Sequence, residues 1–240
     1  MKTDPLDDSV STLVLLPGMD GTGELFARFV RALPAELDVR IARYPLREPR
    51  AYAELEEQVL SMLPTDRPYG LLAESFSGPI GIRIAARAPK GLRRLLLCCS
   101  FARNPRPTLA PLQMLLPLLP LSRLPRSMLG RVLMGEHHDP TLQTELDAAM
   151  DQVSPEVLRA RLLAVIDVDV LAQLTQIAVP MLYMQAASDR LVPRTAADLL
   201  LAHRPDIRKV QLAGPHFLLQ TQPAAAAREV LRFLAVPPSR

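Results

Sequence analysis

A serine, an aspartate and a histidine stand in this chain where each could serve one step of acyl transfer. Ser75 lies within Leu71-Leu72-Ala73-Glu74-Ser75-Phe76-Ser77-Gly78, a predicted tight turn between an apolar strand and a helix. Asp189 ends Ala187-Ser188-Asp189 after a second apolar strand, and His216 ends Gly214-Pro215-His216 after a third. A serine hydroxyl is a weak nucleophile until a base removes its proton. An imidazole does that, and a carboxylate behind it fixes the ring tautomer and stabilises the imidazolium. These types, each just past a strand, point to nucleophilic catalysis with Ser75 as nucleophile, His216 as base and Asp189 as orienting acid.

Plainer roles stand beside these. Ser75 could cap the helix that follows it, and Asp189 could serve the turn before Pro193. Asp20 suits the ordering of the glycine-rich turn around it. Among the other histidines, His203 follows a helix, where a cation is favourable. His137 and His138 are adjacent, and adjacent ring nitrogens do not converge on one metal. Glu74 has two open readings: it faces the site, or it pairs with an arginine of a neighbouring helix. Gly18 to Gly23 lacks the Gly-Lys-Ser/Thr ending of a phosphate loop and the spacing of a dinucleotide fingerprint.

The elements that must position these residues alternate along the chain. Apolar runs predict strands at 11–17, 37–42, 69–74, 92–99, 179–185 and 207–212. Helical spacing predicts helices from Thr22 or Gly23 to Ala32, then at 50–63, 76–88, 194–203 and 223–234. In the second of these, Leu55, Val59 and Met62 are expected inward, and Glu54, Glu56 and Glu57 outward. Strands alternating with helices imply an α/β class protein: a mostly parallel twisted sheet of about six strands with helices on both faces.

The alternation breaks between Phe101 and Thr175. That stretch is rich in Pro and Leu, then helical at 141–151 and 155–166. A loop of that length without structure does not suit a compact domain. Residues 101–175 are therefore expected to form a helical cap over the strand ends, inserted in a single domain spanning 1–240.

Composition narrows the partners. The 240 residues are 49% hydrophobic with a net charge of +3, and the only lysines are Lys2, Lys90 and Lys209. No basic block is long enough to track nucleic-acid phosphates. Cys98 and Cys99 are the only cysteines; as strand neighbours they should point to opposite faces, leaving two buried thiols in a reducing, cytoplasmic setting. The acidic N-terminus shows no signal peptide. The Leu109–Leu121 stretch is cut by Pro111, Pro117 and Pro120 and is too short to span a bilayer. Arg103, Arg106, Arg123, Arg126 and Arg131 occur at 101–135 without an acid. They are expected to be solvated on a roof over the pocket, with transient contact to anionic lipid as the sharper alternative.

From Ser11 to Leu234 the chain resembles the α/β-hydrolase fold superfamily, whose triad follows the order Ser, Asp, His. More narrowly it resembles small hydrolases carrying Leu-Pro-Gly-x-Asp-Gly-Thr-Gly, here Leu16 to Gly23, and Glu-Ser-Phe-Ser-Gly-Pro, here Glu74 to Pro79. Plastid esterase and acyltransferase-like proteins share a version of the first motif. The superfamily's Gly-x-Ser-x-Gly elbow reads Ala73-Glu74-Ser75-Phe76-Ser77, so both glycines are replaced by other small residues. The resemblance implies a fold without the usual leading strand pair. It implies an oxyanion hole made by the backbone N–H groups of Met19 and Phe76, with Asp167 and Asp169 as fallback acids one strand earlier. The implied activity is hydrolysis of a small-molecule carboxylic ester or thioester, needing no metal or organic cofactor, and the Leu- and Met-rich cap points to an apolar acyl or alcohol part. The alternatives are acyl transfer to an alcohol and ligand binding without catalysis.

Overall fold

The computed structural model describes residues 10–108 and 126–235. Six strands are described: β1 (Thr12–Leu16), β2 (Asp38–Ile41), β3 (Tyr69–Glu74), β4 (Leu92–Cys98), β5 (Met181–Ala186) and β6 (Arg208–Leu212). They form one sheet in the order β2-β1-β3-β4-β5-β6, with every pairing parallel. β1, β3 and β5 are wholly buried, whereas the edges β2 and β6 are half-exposed and carry Asp38, Arg40, Arg208 and Lys209. Strands covered on both faces read as continuous apolar runs, and charge blunts the edges.

Successive side chains feed two cores. Val14, Leu16, Leu71, Leu95 and Tyr183 enter one face; Leu13, Leu15, Leu72, Leu96 and Leu182 enter the other. The first face is covered by α2 (Tyr52–Met62), α3 (Gly78–Ala86) and α8 (Arg194–His203). The second is covered by α1 (Ala27–Arg31) and α10 (Pro223–Ala235).

Several expectations need correcting. The predicted helix from Thr22 or Gly23 is a 3-10 turn, Glu24–Phe26, followed by the short α1. Glu56 faces inward rather than outward: it is 3% exposed and pairs with Arg83 of α3 and Arg87 just past its end, which meet it across the α2–α3 seam. Cys98 and Cys99 do not diverge. β4 ends at Cys98, and Cys99 takes a left-handed φ of 49°, which brings the two sulfurs to 4.0 Å. Both belong to the second core as free thiols.

Between β4 and β5 lie α4 (Arg126–Met134), α5 (Pro140–Asp151), α6 (Pro155–Asp167) and α7 (Leu171–Leu174). The Asp139 carboxylate accepts from Thr141 N and the Ser154 hydroxyl from Val157 N, each followed by a proline at the first helical position. α4 and α7 are further helices that the sequence reading does not predict. The insertion's two ends are tied by an antiparallel bridge between Arg103 and Asp169. Its helices pack on Leu25 and Phe217, and Arg28 of α1 reaches Asp139 at 2.6 Å and Glu145 at 3.2 Å. Arg123 and the Leu109–Leu121 stretch lie outside the described residues. No helix among the described residues is long and apolar enough to cross a membrane.

Candidate active site

The strand order reverses between β1 and β3, so the loops after them part and leave a crevice at the strands' carboxyl ends. Ser75 stands there. β3 ends at Glu74, and Ser75 turns the chain into a 3-10 segment, Ser75–Ser77, that runs into α3. Its φ is 48°, a left-handed conformation that costs an L residue about 1 kcal/mol. The turn is pinned from three sides. Ser100 donates to the Ser75 carbonyl at 2.5 Å, and Tyr52 to the Phe76 carbonyl at 3.0 Å. The Ser77 hydroxyl donates to the Pro17 carbonyl and lies 2.7 Å from the Tyr44 hydroxyl. With the serine proton spent on Pro17, Tyr44 is the donor of that second bond.

These contacts explain the replaced glycines. Ala73 packs against Gly81, where a Cβ would come 2.9 Å from the alanine methyl. A Cβ on Gly78 would land on the Ser100 hydroxyl. Smallness is thus enforced one residue beyond Ser77, which is free to carry a hydroxyl that ties the elbow to the loop after β1.

Ser75 Oγ lies 2.9 Å from His216 Nε2, and His216 Nδ1 lies 2.8 Å from Asp189 Oδ2. The other carboxylate oxygen of Asp189 accepts from Leu191 N at 2.8 Å and Val192 N at 2.9 Å. Those bonds fix the carboxylate, which leaves Nδ1 as the donor toward it and Nε2 free to accept the serine proton. Each of the three residues predicted from sequence is therefore in place relative to the others. Asp167 and Asp169 are exposed, and Asp169 is engaged by Arg103 at 3.2 Å. His137 and His138 are exposed in the insertion, and His203 faces its own helix at Leu199 O. Asp20 orders its turn, its Oδ1 accepting from Thr22 N at 2.9 Å.

Met19 lies on the loop after β1, and Phe76 in the elbow. As an early residue of a helical segment, Phe76 has a backbone N–H with no intrahelical acceptor. Sequence reasoning missed the residue that holds this region together. Arg161, on α6, is 2% exposed and donates to the carbonyls of Met19 (2.7 Å), Asp20 (2.9 Å) and Pro45 (2.9 Å). Its guanidinium sits 5.8 Å from the Tyr44 ring centre and 5.9 Å from that of Phe76. Burial lowers its pKa, opposed by the Asp20 carboxylate. Nothing in the sequence distinguishes this arginine from a surface one, because its acceptors are main-chain carbonyls.

A cavity of about 140 Å³ adjoins Ser75 and His216. Leu129, Leu133, Leu146 and Met150, from the helices between β4 and β5, line it together with Leu25, Leu191 and Phe217. Glu74 also borders it, settling that residue's open reading in favour of the site. Gln220 donates to Glu74 Oε1 at 3.0 Å, and no arginine among the described residues pairs with it. Burial pushes its carboxyl up to about 7, helped by Asp20 and opposed by Gln220 and His216. Of the insertion's arginines, Arg103 and Arg126 are held by Asp169 and Asp151, and Arg106 by the carbonyls of Leu191 and Arg190; Arg131 is exposed.

Cys99, Asp189 and His216 offer donor atoms within 4.8 Å of one another, close enough for a metal. Asp189 and His216 are already spent on each other, and a metal there would withdraw the base from Ser75.

No protein-family model matches the chain, and no curated protein is similar to it in sequence. Solved structures are similar to it over nearly its whole length. A hydrolase from Pseudomonas aeruginosa is 23% identical with a TM-score of 0.78, covering 95% of this chain and 91% of that one. The enol-lactonase of Burkholderia xenovorans is 20% identical with a TM-score of 0.79, covering 95% and 92%. An esterase from Exiguobacterium antarcticum is 15% identical with a TM-score of 0.77, covering 95% and 93%. The chain has the α/β-hydrolase fold.

Proposed function

We propose that this protein is a serine hydrolase that cleaves a small carboxylic ester or thioester through an acyl-enzyme on Ser75. The observation that carries the reading is the unbroken run Ser75–His216–Asp189 at the edge of an apolar cavity. His216 Nε2 takes the hydroxyl proton as Ser75 Oγ attacks the carbonyl carbon, then returns it to the departing alcohol or thiol. Asp189 orients the ring and stabilises its charged form. The N–H groups of Met19 and Phe76 receive the developing oxyanion, each such donor contributing about 3 kcal/mol to transition-state stabilisation. Water activated by His216 then clears the acyl group. Residues 101–175 act as a cap within a single domain, and the Leu- and Met-lined roof is what favours an apolar substrate part.

The proposal also draws on the similar structures, whose names include a hydrolase, an esterase and an enol-lactonase. Its test is covalent labelling of the purified protein by a fluorophosphonate, beside Ser75→Ala, followed by nitrophenyl esters of increasing acyl length. Labelling confined to Ser75, with ester turnover that falls at least about 10⁴-fold in the variant, is expected. A folded protein that neither labels nor turns over any ester overturns the proposal and leaves a ligand-binding role.

A further inference from the structure

The cavity beside Ser75 has a polar end that acyl transfer does not use. Glu74 and Asp20 border it, 6% and 7% exposed. One oxygen of each is held: Glu74 Oε1 by Gln220, and Asp20 Oδ1 by the N–H and hydroxyl of Thr22. The other oxygen of each has no hydrogen-bond partner among the described residues, yet neither is sealed away. Both approach the same small space over Gly18. A methyl group built there would lie 3.7 Å from Asp20 Oδ2 and 3.8 Å from Glu74 Oε2.

The surroundings do not complete this pair. Arg161 faces Asp20 from α6 but gives its hydrogen bonds to main-chain carbonyls. His216 faces Glu74 from the loop after β6, with its nitrogens engaged by Ser75 and Asp189. Cys98, from β4, is a buried neutral thiol in range of Glu74. Gln220 of α9 (Leu218–Thr221) supplies the one direct side-chain bond to Glu74 among the described residues. Two carboxyl oxygens thus meet a largely apolar cavity with no donor to them among the described residues. A purely alkyl group seated against them would strip their water and give no hydrogen bond in return, which is unfavourable. A buried, shifted acid in a cleft beside a nucleophile also marks a functional position more often than a structural one.

We infer that Glu74 and Asp20 form a recognition site for a hydrogen-bond donor, a hydroxyl or an ammonium, carried on a short apolar part of the substrate. The inference deepens the proposed hydrolase reading and rests on it for the word substrate. Cavities of about 150 Å³ hold a benzene-sized group, so the part enclosed beside the pair is of that order.

The test is a protein NMR titration of the whole chain with three probes of similar size: butylammonium, 1-butanol and 1-chlorobutane, which has no donor. Fluorophosphonate labelling of Ser75 runs in parallel. At least one donor probe is expected to bind about tenfold or more tightly than 1-chlorobutane, with shifts centred on Gly18 and Glu74. If ammonium is the preferred donor, its affinity rises from about pH 6 to about pH 8 as Glu74 ionises; a hydroxyl preference lacks that rise. Glu74→Leu is expected to erase the preference, and Glu74→Gln to remove its pH dependence. The wild-type series stands without either variant should one fail to fold. Equal or tighter binding of 1-chlorobutane overturns the inference, as does a preference that survives Glu74→Leu. Labelled Ser75 without a donor preference sinks this inference alone. A donor preference without labelling sinks hydrolysis and keeps the binding site.

Discussion

Glu74 shows how one residue can be cheap in sequence and costly in the fold. Its neighbour Ser75 is half-buried beside His216, while Glu74 ends a strand and borders a cavity with one hydrogen bond among the described residues. Its carboxyl is raised from the ordinary carboxylate range to about 7. The acid is therefore held neutral in the folded protein over a range where the unfolded chain has already ionised it. Its contribution to stability is fully present below about pH 4.5 and fades as pH rises toward 7. The loss should be on the order of 3 kcal/mol across that window. Urea unfolding at several pH values measures it directly. The wild type should show the falling slope and Glu74→Gln should not. Parallel slopes in the two proteins would mean that the carboxyl is not buried as described.

Elements decide how the proposed oxyanion hole is held. The loop after β1 has no strand or helix of its own at Met19, so its shape depends on what grips its carbonyls. Ser77 holds Pro17 from the elbow, and Arg161 holds Met19 and Asp20 from α6. The helices between β4 and β5 are thus coupled to the proposed reaction centre by the Arg161 guanidinium, as well as by the Phe217 N–H donating to the Leu133 carbonyl at 3.0 Å. Lysine at that position offers its donors from one nitrogen rather than from a planar fork, so it does not reproduce the spacing by which two guanidinium nitrogens reach Met19, Asp20 and Pro45. Arg161→Lys should lower kcat by about 10- to 100-fold, below the full loss of an oxyanion donor, while KM changes little. The rate of phosphonate labelling at Ser75 should fall in parallel, since both reactions build negative charge at the same place. Kinetics on a variant shown to be folded tests this; an unchanged kcat would separate α6 from the oxyanion loop.

At the scale of the molecule, the sheet makes two dry cores and places every proposed reacting group at one end of it. The thiols report on that arrangement. Cys98 and Cys99 are 0% and 1% exposed within the second core; their mutual hydrogen bond and then burial raise the Cys99 pKa, and for Cys98 that bond lowers the pKa but is outweighed by burial and nearby acids. Neutral buried thiols are slow to react. A disulfide reagent should find almost no reactive thiol in the native protein and both after unfolding, with exposure following the global transition. Rapid reaction of the native protein would show that the second core opens locally or is packed otherwise.

Local pattern alone determined the main features: apolar runs for strands, helical spacing between them, and Ser75, Asp189 and His216 each just past a strand end. Such features are legible because they arise from residues near one another in the chain. What depended on distant pairs was not. Glu56 reads as an outward charge until α3 brings Arg83 and Arg87 to it. Cys99 reads as a strand residue until β4 ends before it. Arg161, 142 residues from Met19, reads as a surface cation until the fold encloses it. Main-chain carbonyls leave no mark in a sequence, and a cavity exists only between elements. Only the tertiary structure could therefore decide what grips the loop after β1 and which way Glu74 faces.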